Sequence, residues 1–280
     1  MKIISLDEMK KLELDMLIDF TQFCEHNNYT YYLSGGTLLG AVRHNGFIPW
    51  DDDIDIMMPR DDYEKSLRLY KHKYYEVDSL SNNNKSVMRY ARLYDRRTIL
   101  EGSWKKKVNE SVFIDIFPID GLPQNKLSQK ILFFIQQSLM SVHLATILKA
   151  RMSTRYADRD AGFLEWRKYF RTSIKFMMQL LIGWTNPNIW ARLLNNIANS
   201  HSFEKSSEVA ILVSGPHWSR ETMPKEIYKK VYLNFEGHKL CAIQGYQYYL
   251  SRLYGDYMKL PPKEKRLSHH DFIAYWKDEE

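Results

Sequence analysis

The chain has 280 residues, 44% of them hydrophobic, with 40 Lys and Arg against 34 Asp and Glu, a net charge of +6 and a pI near 9.0. That supplies a core for one large domain or two small ones, and the absence of repeats and low-complexity tracts speaks against solenoid and disordered classes. Cys24 and Cys241 are the only cysteines, too few for a disulfide framework or a thiolate metal site. The opening MKIISLDEMKKLELDM has early acidic residues and no apolar core, so it reads as neither a signal nor a transit peptide, and a cytoplasmic protein is expected. A basic chain favours anionic partners: nucleotide phosphates, anionic lipid headgroups or nucleic acid.

In chain order, apolar side chains at Leu6, Met9, Leu12, Met16, Leu17, Phe20 and Phe23 predict an amphipathic helix over 6–27, with Asp7 and Glu8 at its positive end. Residues 30–33 are β-branched and aromatic and run into Ser34-Gly35-Gly36, a strand ending in a tight turn. A short helix follows over 37–43. After Gly46 and Pro49, residues 53–57 alternate and predict a strand that stops at Pro59, then a charged helix over 60–71. Further strands are predicted at 87–94, 98–101 and 112–117, the last closed by Pro118 and Gly121.

From 124 to 199 the pattern turns helical, with basic residues clustered at 149–171. The window 131–148 has no charged residue, and 174–184 has only Lys175. Both suit either helices buried in a core of their own or helices lying on a membrane surface. Gln136, Gln137, Ser138, Ser141 and His143 make the first window a poor membrane span. Beyond Val231 a short strand, a helix over 242–253 and a basic, proline-containing tail are expected.

The most informative stretch is Ser34-Gly35-Gly36-Thr37, followed by Trp50-Asp51-Asp52-Asp53-Ile54-Asp55-Ile56. On a strand, side chains two apart share a face, so Asp53 and Asp55 point together while Ile54 and Ile56 enter the core; Asp51 joins them if the strand starts that early. Carboxylates this close repel unless protons or a cation neutralise them, and hard oxygen ligands suit Mg²⁺ or Mn²⁺ with a bound phosphate. A solvated acidic turn is the bland alternative, but it leaves the Ile alternation and the upstream glycines without a reason. Those glycines let the backbone approach a ligand, and amides opening the next helix can bind phosphate. Asp115, inside Val112-Phe113-Ile114-Asp115-Ile116-Phe117, is costly to bury alone. It either meets the metal site as third ligand or general base, or pairs with an arginine.

The segment 34–62, SGGTLLGAVRHNGFIPWDDDIDIMMPRDD, closely resembles the signature of the LicD family, which the fukutin-related proteins of animals share. Segments 113–121 (FIDIFPIDG) and 254–262 (YGDYMKLPP) resemble later motifs of that family in the expected order. The likeness covers the first 122 residues well and the end of the chain in part; no motif matches the middle.

The resemblance implies a nucleotidyltransferase-like fold; together with the residue patterns it gives an expected mixed α/β (α+β) architecture, a nucleotidyltransferase-like sheet with flanking helices and an inserted helical subdomain. Residues 1–122 would form the catalytic core and 221–280 a segment completing it, while the pattern and charge of 123–220 suggest a helical subdomain that faces the membrane or packs on its own core. The implied reaction moves a phosphoalcohol (phosphocholine, phosphoethanolamine, glycerol phosphate or ribitol phosphate) from a CDP-activated donor to a sugar hydroxyl of a cell-surface glycan precursor, releasing CMP. On that likeness Asp53 and Asp55 carry over as metal ligands with Asp51 assisting, Asp115 as the third catalytic carboxylate, and Gly35, Gly36 and Thr37 as the donor-phosphate turn.

Arg43 and Arg92 are candidate phosphate contacts, with surface ion pairs as the alternative, and Trp50 is a candidate wall of the site or a core indole. His44 reads as a polar turn residue, and His269 and His270 lack a spaced third metal ligand. Tyr254, Asp256, Lys259 and Arg266 are placed to close over substrate, with no chemistry assigned. The basic residues form no aromatic-interleaved strip, so no nucleic-acid partner is expected. Expected partners are the nucleotide-activated donor, a glycan or lipid-linked oligosaccharide acceptor, and the inner membrane face. Two other readings stay open: a nucleotidyltransferase releasing pyrophosphate, and a non-catalytic glycan-binding scaffold.

Overall fold

Ser5 opens the first long element: its hydroxyl accepts the Glu8 amide at 3.2 Å and caps α1 (Leu6–His26), which follows the two-residue β1 (Ile3–Ile4). Met9, Leu12, Met16, Leu17, Phe20 and Cys24 are buried along one stripe of α1. Each large apolar side chain so buried contributes about 1.5–3 kcal/mol. The computed structural model describes residues 1–101, 111–147, 177–214, 218–266 and 273–278. The basic cluster at 149–171, the start of the 174–184 window, and His269 and His270 lie outside the described residues.

After α1 come β2 (Tyr32–Leu33), α2 (Gly35–His44), β3 (Asp55–Pro59), α3 (Arg60–Leu69), β4 (Tyr75–Asp78), β5 (Ala91–Asp95), β6 (Thr98–Glu101) and β7 (Phe113–Gly121). Then follow α4 (Lys126–Ile147), α5 (Pro187–Ala198), β8 (Glu208–Ala210), α6 (Trp218–Glu221), β9 (Met223–Pro224), β10 (Lys230–Phe235), β11 (His238–Ile243), α7 (Tyr246–Tyr254) and β12 (Ile273–Trp276). The central sheet runs β2-β3-β7-β5-β4, with β8 and then β9 added beyond β7. Among the described residues its one parallel pair is β3 with β7, and the other ladders are antiparallel. The chain is mixed α/β, as its sequence predicts.

Several elements depart from expectation: the strand expected over 87–94 begins only at Ala91, β4 has no counterpart among the expected strands, and the helix expected over 242–253 begins at Tyr246 because Ala242 and Ile243 complete the β11 ladder to β10. Two further strands differ in their ends. β3 begins at Asp55, not at residue 53, because its ladder to β7 opens at Asp55 opposite Asp115, while the preceding chain turns with the Asp51 amide on the Ile48 carbonyl at 2.9 Å. Asp53 and Asp55 are therefore gathered by a loop entering a strand, and no pleat aligns them. β7 does not close at Pro118 but runs on to Gly121. β5 pairs its edge as far as Ile116 and β8 takes over at Asp120, so Pro118 falls between partners, where its missing N–H breaks no bond on that edge. The stretch between 123 and 220 is also not purely helical, since it supplies β8 to the central sheet.

The two ends of the chain pair with the middle in a small sheet, β1-β12-β6. The β10–β11 hairpin turns through Glu236 and Gly237, both at positive φ, and packs on β2, where Tyr31 Oη accepts the Cys241 amide at 3.3 Å. One apolar core takes residues from α1, the central sheet, α4, the hairpin and α7.

A buried ion pair joins the far end of β7 to α3. Arg60 grips Asp120 with two bonds of 2.7 Å, the two side chains being 3% and 0% exposed, and reaches Asn195 of α5 at 2.8 Å. Removing one member would strand a charge in the core. Asp120→Ala is expected to lower unfolding stability by about 3–5 kcal/mol, read as a fall in the urea midpoint.

Candidate active site

The turn between β2 and α2 is laced to the start of β3. The Ser34 amide donates to the Asp55 carbonyl at 3.0 Å, and the Asp55 amide donates to Thr37 Oγ1 at 2.8 Å. Gly35 sits at φ +49°, a conformation that side chains disfavour. A Cβ on Gly35 would lie 3.1 Å from Asp55 Oδ2, and one on Gly36 only 2.6 Å from Asp51 Oδ2. The glycine pair thus seats two carboxylates against bare backbone, while Thr37 uses its hydroxyl to hold β3 in place.

Six acidic residues gather here. Oxygens of Asp51, Asp52 and Asp53 all lie within 4.8 Å of one another, with Asp51 and Asp52 buried. Asp55 faces Asp115 across the parallel β3–β7 pair. Burial first, then the charges of Asp53, Asp115 and Asp51, hold the Asp55 carboxyl well above the usual carboxylate range, opposed by Arg92. Glu13, buried on the inner stripe of α1, is pushed the same way by burial and by Asp53 and Asp52, and its Oε2 has no hydrogen-bond partner among the described residues. A set of hard oxygen donors under mutual repulsion is suited to a divalent cation.

Asp115 lies beside Asp55 in the β3–β7 register and also pairs with an arginine. Arg92, opposite it on β5, donates Nε to Asp115 Oδ1 at 2.7 Å and Nη2 to Oδ2 at 3.4 Å, with its guanidinium 3.8 Å from the Phe113 ring centroid. Arg92 is buried there. Arg43 donates to the Tyr257 carbonyl at 2.8 Å, and burial followed by the Arg266 charge lowers its pKa against the pull of Asp51. Arg266 lies 5.4 Å from the Trp50 ring centroid, and His44 meets the same indole edge-on at 6.3 Å. The C-terminal tail is thereby bound to the aspartate loop.

Asp55 opens into a cavity of about 300 Å³. Ser34 and Gly35 line it from the glycine turn, Phe117 from β7, Tyr249, Leu253 and Tyr254 from α7, and Arg220 and Glu221 from α6. Ser34 Oγ and Tyr249 Oη share a hydrogen bond at 3.3 Å. Burial pushes the Glu221 carboxyl up to about 7 against the opposing charge of Arg220.

Sequence reasoning brought Asp51, Asp53, Asp55, Asp115, Gly35, Gly36, Arg43 and Arg92 to attention, and the fold gathers them. It passed over Asp52, Glu13, Tyr249 and Glu221. Glu13 had a signal, an acid four residues after Met9 on a helix's apolar stripe; Tyr249 and Glu221 reach the site only through long-range folding.

The family described as LicD/FKTN/FKRP, nucleotidyltransferase domain, matches residues 28–143, a span that holds the glycine turn and all four aspartates from Asp51 to Asp55 together with Asp115. The chain is 30% identical over 284 residues to lipopolysaccharide cholinephosphotransferase LicD of Haemophilus influenzae, covering 98% of this chain and 99% of that one. An uncharacterised protein of Rickettsia typhi is 40% identical over 76 residues, 26% of this chain and 25% of its own. Ribitol 5-phosphate transferase FKRP of Mus musculus is 62% identical over 26 residues, 9% of this chain and 5% of that enzyme. With similarity running end to end and the carboxylate cluster inside the matched region, the chain belongs to the LicD family of phosphotransferases.

Proposed function

We propose that the protein transfers a phosphoalcohol, with phosphocholine the first candidate, from a CDP-activated donor to a sugar hydroxyl of a glycan or lipid-linked oligosaccharide, releasing CMP. The observation that carries this reading is Asp55 facing Asp115 across β3 and β7, with Asp51 and Asp53 crowding the same carboxyl beside the Gly35-Gly36 turn. End-to-end similarity to a lipopolysaccharide cholinephosphotransferase supports choline and a lipopolysaccharide acceptor. The short likeness to a ribitol 5-phosphate transferase keeps polyol donors in the comparison.

Asp51, Asp53 and Asp55 are the residues to hold Mg²⁺ or Mn²⁺. When bound, such an ion neutralises charge on the donor diphosphate. Gly35 and Gly36 keep the wall beside Asp55 and Asp51 free of side chains, and Arg43 stands near Asp51 as a second source of positive charge. Arg92 fixes Oδ1 of Asp115 and holds Oδ2 more loosely, which leaves that oxygen to take the proton of the attacking hydroxyl. The hydroxyl oxygen bonds to the phosphorus that bears the alcohol as the bond from that phosphorus to the CMP oxygen breaks.

The test is a donor screen with purified protein, Mg²⁺ and a glycolipid extract, offering CDP-choline, CDP-ethanolamine, CDP-glycerol, CDP-ribitol and nucleoside triphosphates and reading released nucleotide by mass. CMP is expected from one CDP-alcohol, and Asp53→Ala and Asp115→Asn should each lower kcat/KM by about a hundredfold or more. Pyrophosphate from a triphosphate would move the protein to the nucleotidyltransferases.

Metal dependence has an independent readout. Mg²⁺ or Mn²⁺ at about a hundred times its Kd should stabilise the fold by about 2.7 kcal/mol, raising Tm, and Asp53→Ala should abolish that rise. Gly36→Ala pushes a methyl group into Asp51, so about a tenfold or greater fall in kcat/KM is expected, with cooperative unfolding retained.

A further inference from the structure

α4 has two contrasting faces. Its inner face is tied to protein through polar side chains: Gln136 Nε2 donates to the Leu194 carbonyl of α5 at 2.9 Å, Gln129 Nε2 to the Pro123 carbonyl at 2.8 Å, and His143 Nε2 bonds the Val87 carbonyl at 2.9 Å. Its outer face shows Leu127, Ile131, Phe134 and Ile135, a stripe at helical spacing, with Phe134 70% exposed. The residues leading into α5, which packs on α4, show Leu180, Leu181 and Trp184, the indole 80% exposed. Apolar side chains standing out in this number on neighbouring helices mark a surface that something covers.

Charge indicates what covers it. The chain that joins these helices, 148–176, carries eight Lys and Arg against three Asp and Glu, five of the six net positive charges of the protein. A second copy of the chain would bring the same positive stretch against itself, whereas an anionic bilayer neutralises it while taking up the apolar side chains. We propose that the outer face of α4 and the Leu180–Trp184 region dock into the interfacial layer of an anionic membrane, with the protein lying on the bilayer and not crossing it.

By length and composition the 22 residues of α4 could cross a bilayer. The bonds of Gln129, Gln136 and His143 to the rest of the protein argue against it, because a spanning helix would have to abandon them. α4 also touches α6, whose Arg220 and Glu221 line the cavity beside Asp55, so docking brings that cavity towards the membrane.

The full-length chain is sedimented with vesicles of phosphatidylcholine alone or mixed with phosphatidylglycerol. Binding to the anionic vesicles is expected, weakened by salt, and reduced about tenfold or more by Phe134→Ser with Leu181→Ser. Should that double variant fail to fold, Trp184→Phe gives a second measurement: it should remove part of the fluorescence quenching by brominated lipids while binding persists. A wild-type chain left in the supernatant at low salt overturns the proposal, as does unaltered binding by a folded double variant. Dimerisation through this face, dissolved by the serines, would assign it to a second copy, and resistance to carbonate extraction would assign α4 as a span. Each outcome is read from binding, so it stands apart from success or failure of the donor screen.

Discussion

Crowding several carboxylates around one point is the constraint on which the rest of this fold depends. The charges of Asp53, Asp115 and Asp51 all bear on the buried Asp55, and backbone placement keeps them together, with Arg92 paired to Asp115 in addition. The Thr37 hydroxyl and Ser34 amide pin Asp55, the glycines leave no Cβ to push Asp51 or Asp55 away, and the parallel register of β3 with β7 fixes Asp115 opposite. Oxygen donors held under such mutual repulsion are suited to a hard divalent cation.

β7 shows how the same chemical pair can serve two ends. Near its start Asp115 meets Arg92, with one oxygen held closely and the other loosely, and it keeps Asp55 as a neighbour. Near its end Asp120 meets Arg60 through two short bonds with no solvent access, and the partners of Arg60 extend to α3 and α5. The first pair is uneven, at 2.7 and 3.4 Å, and the second even, at 2.7 Å twice. The strand thus carries a loosely held carboxylate at the site and a firmly anchored one five residues away.

How much of this could be read from sequence depended on the range of the forces involved. α1 and β6 fell where their residue patterns put them, because periodicity and local turns decide such elements. The start of β3 did not, since a ladder opening at Asp55 is decided by Asp115, sixty residues away. The passage of β7 through Pro118 depends on a change of partner from β5 to β8 that no local signal carries. β4 went unnoticed because Tyr75–Asp78 is an edge strand with a half-exposed pattern. Within the site, the aspartates and glycines were legible because they are contiguous, while Tyr249 and Glu221 arrive from α7 and α6 through tertiary packing alone.

Cys24 lies in the α1 core and Cys241 on β11 against Tyr31, both closed off from solvent. Burial raises both thiols, that of Cys241 to about 11, so neither offers a thiolate at neutral pH. The native fold therefore disfavours attack on either thiol by alkylating and maleimide reagents. A cysteine introduced at an outward position such as Ile131 would be far more accessible to a spin label or fluorophore than the protein's own two.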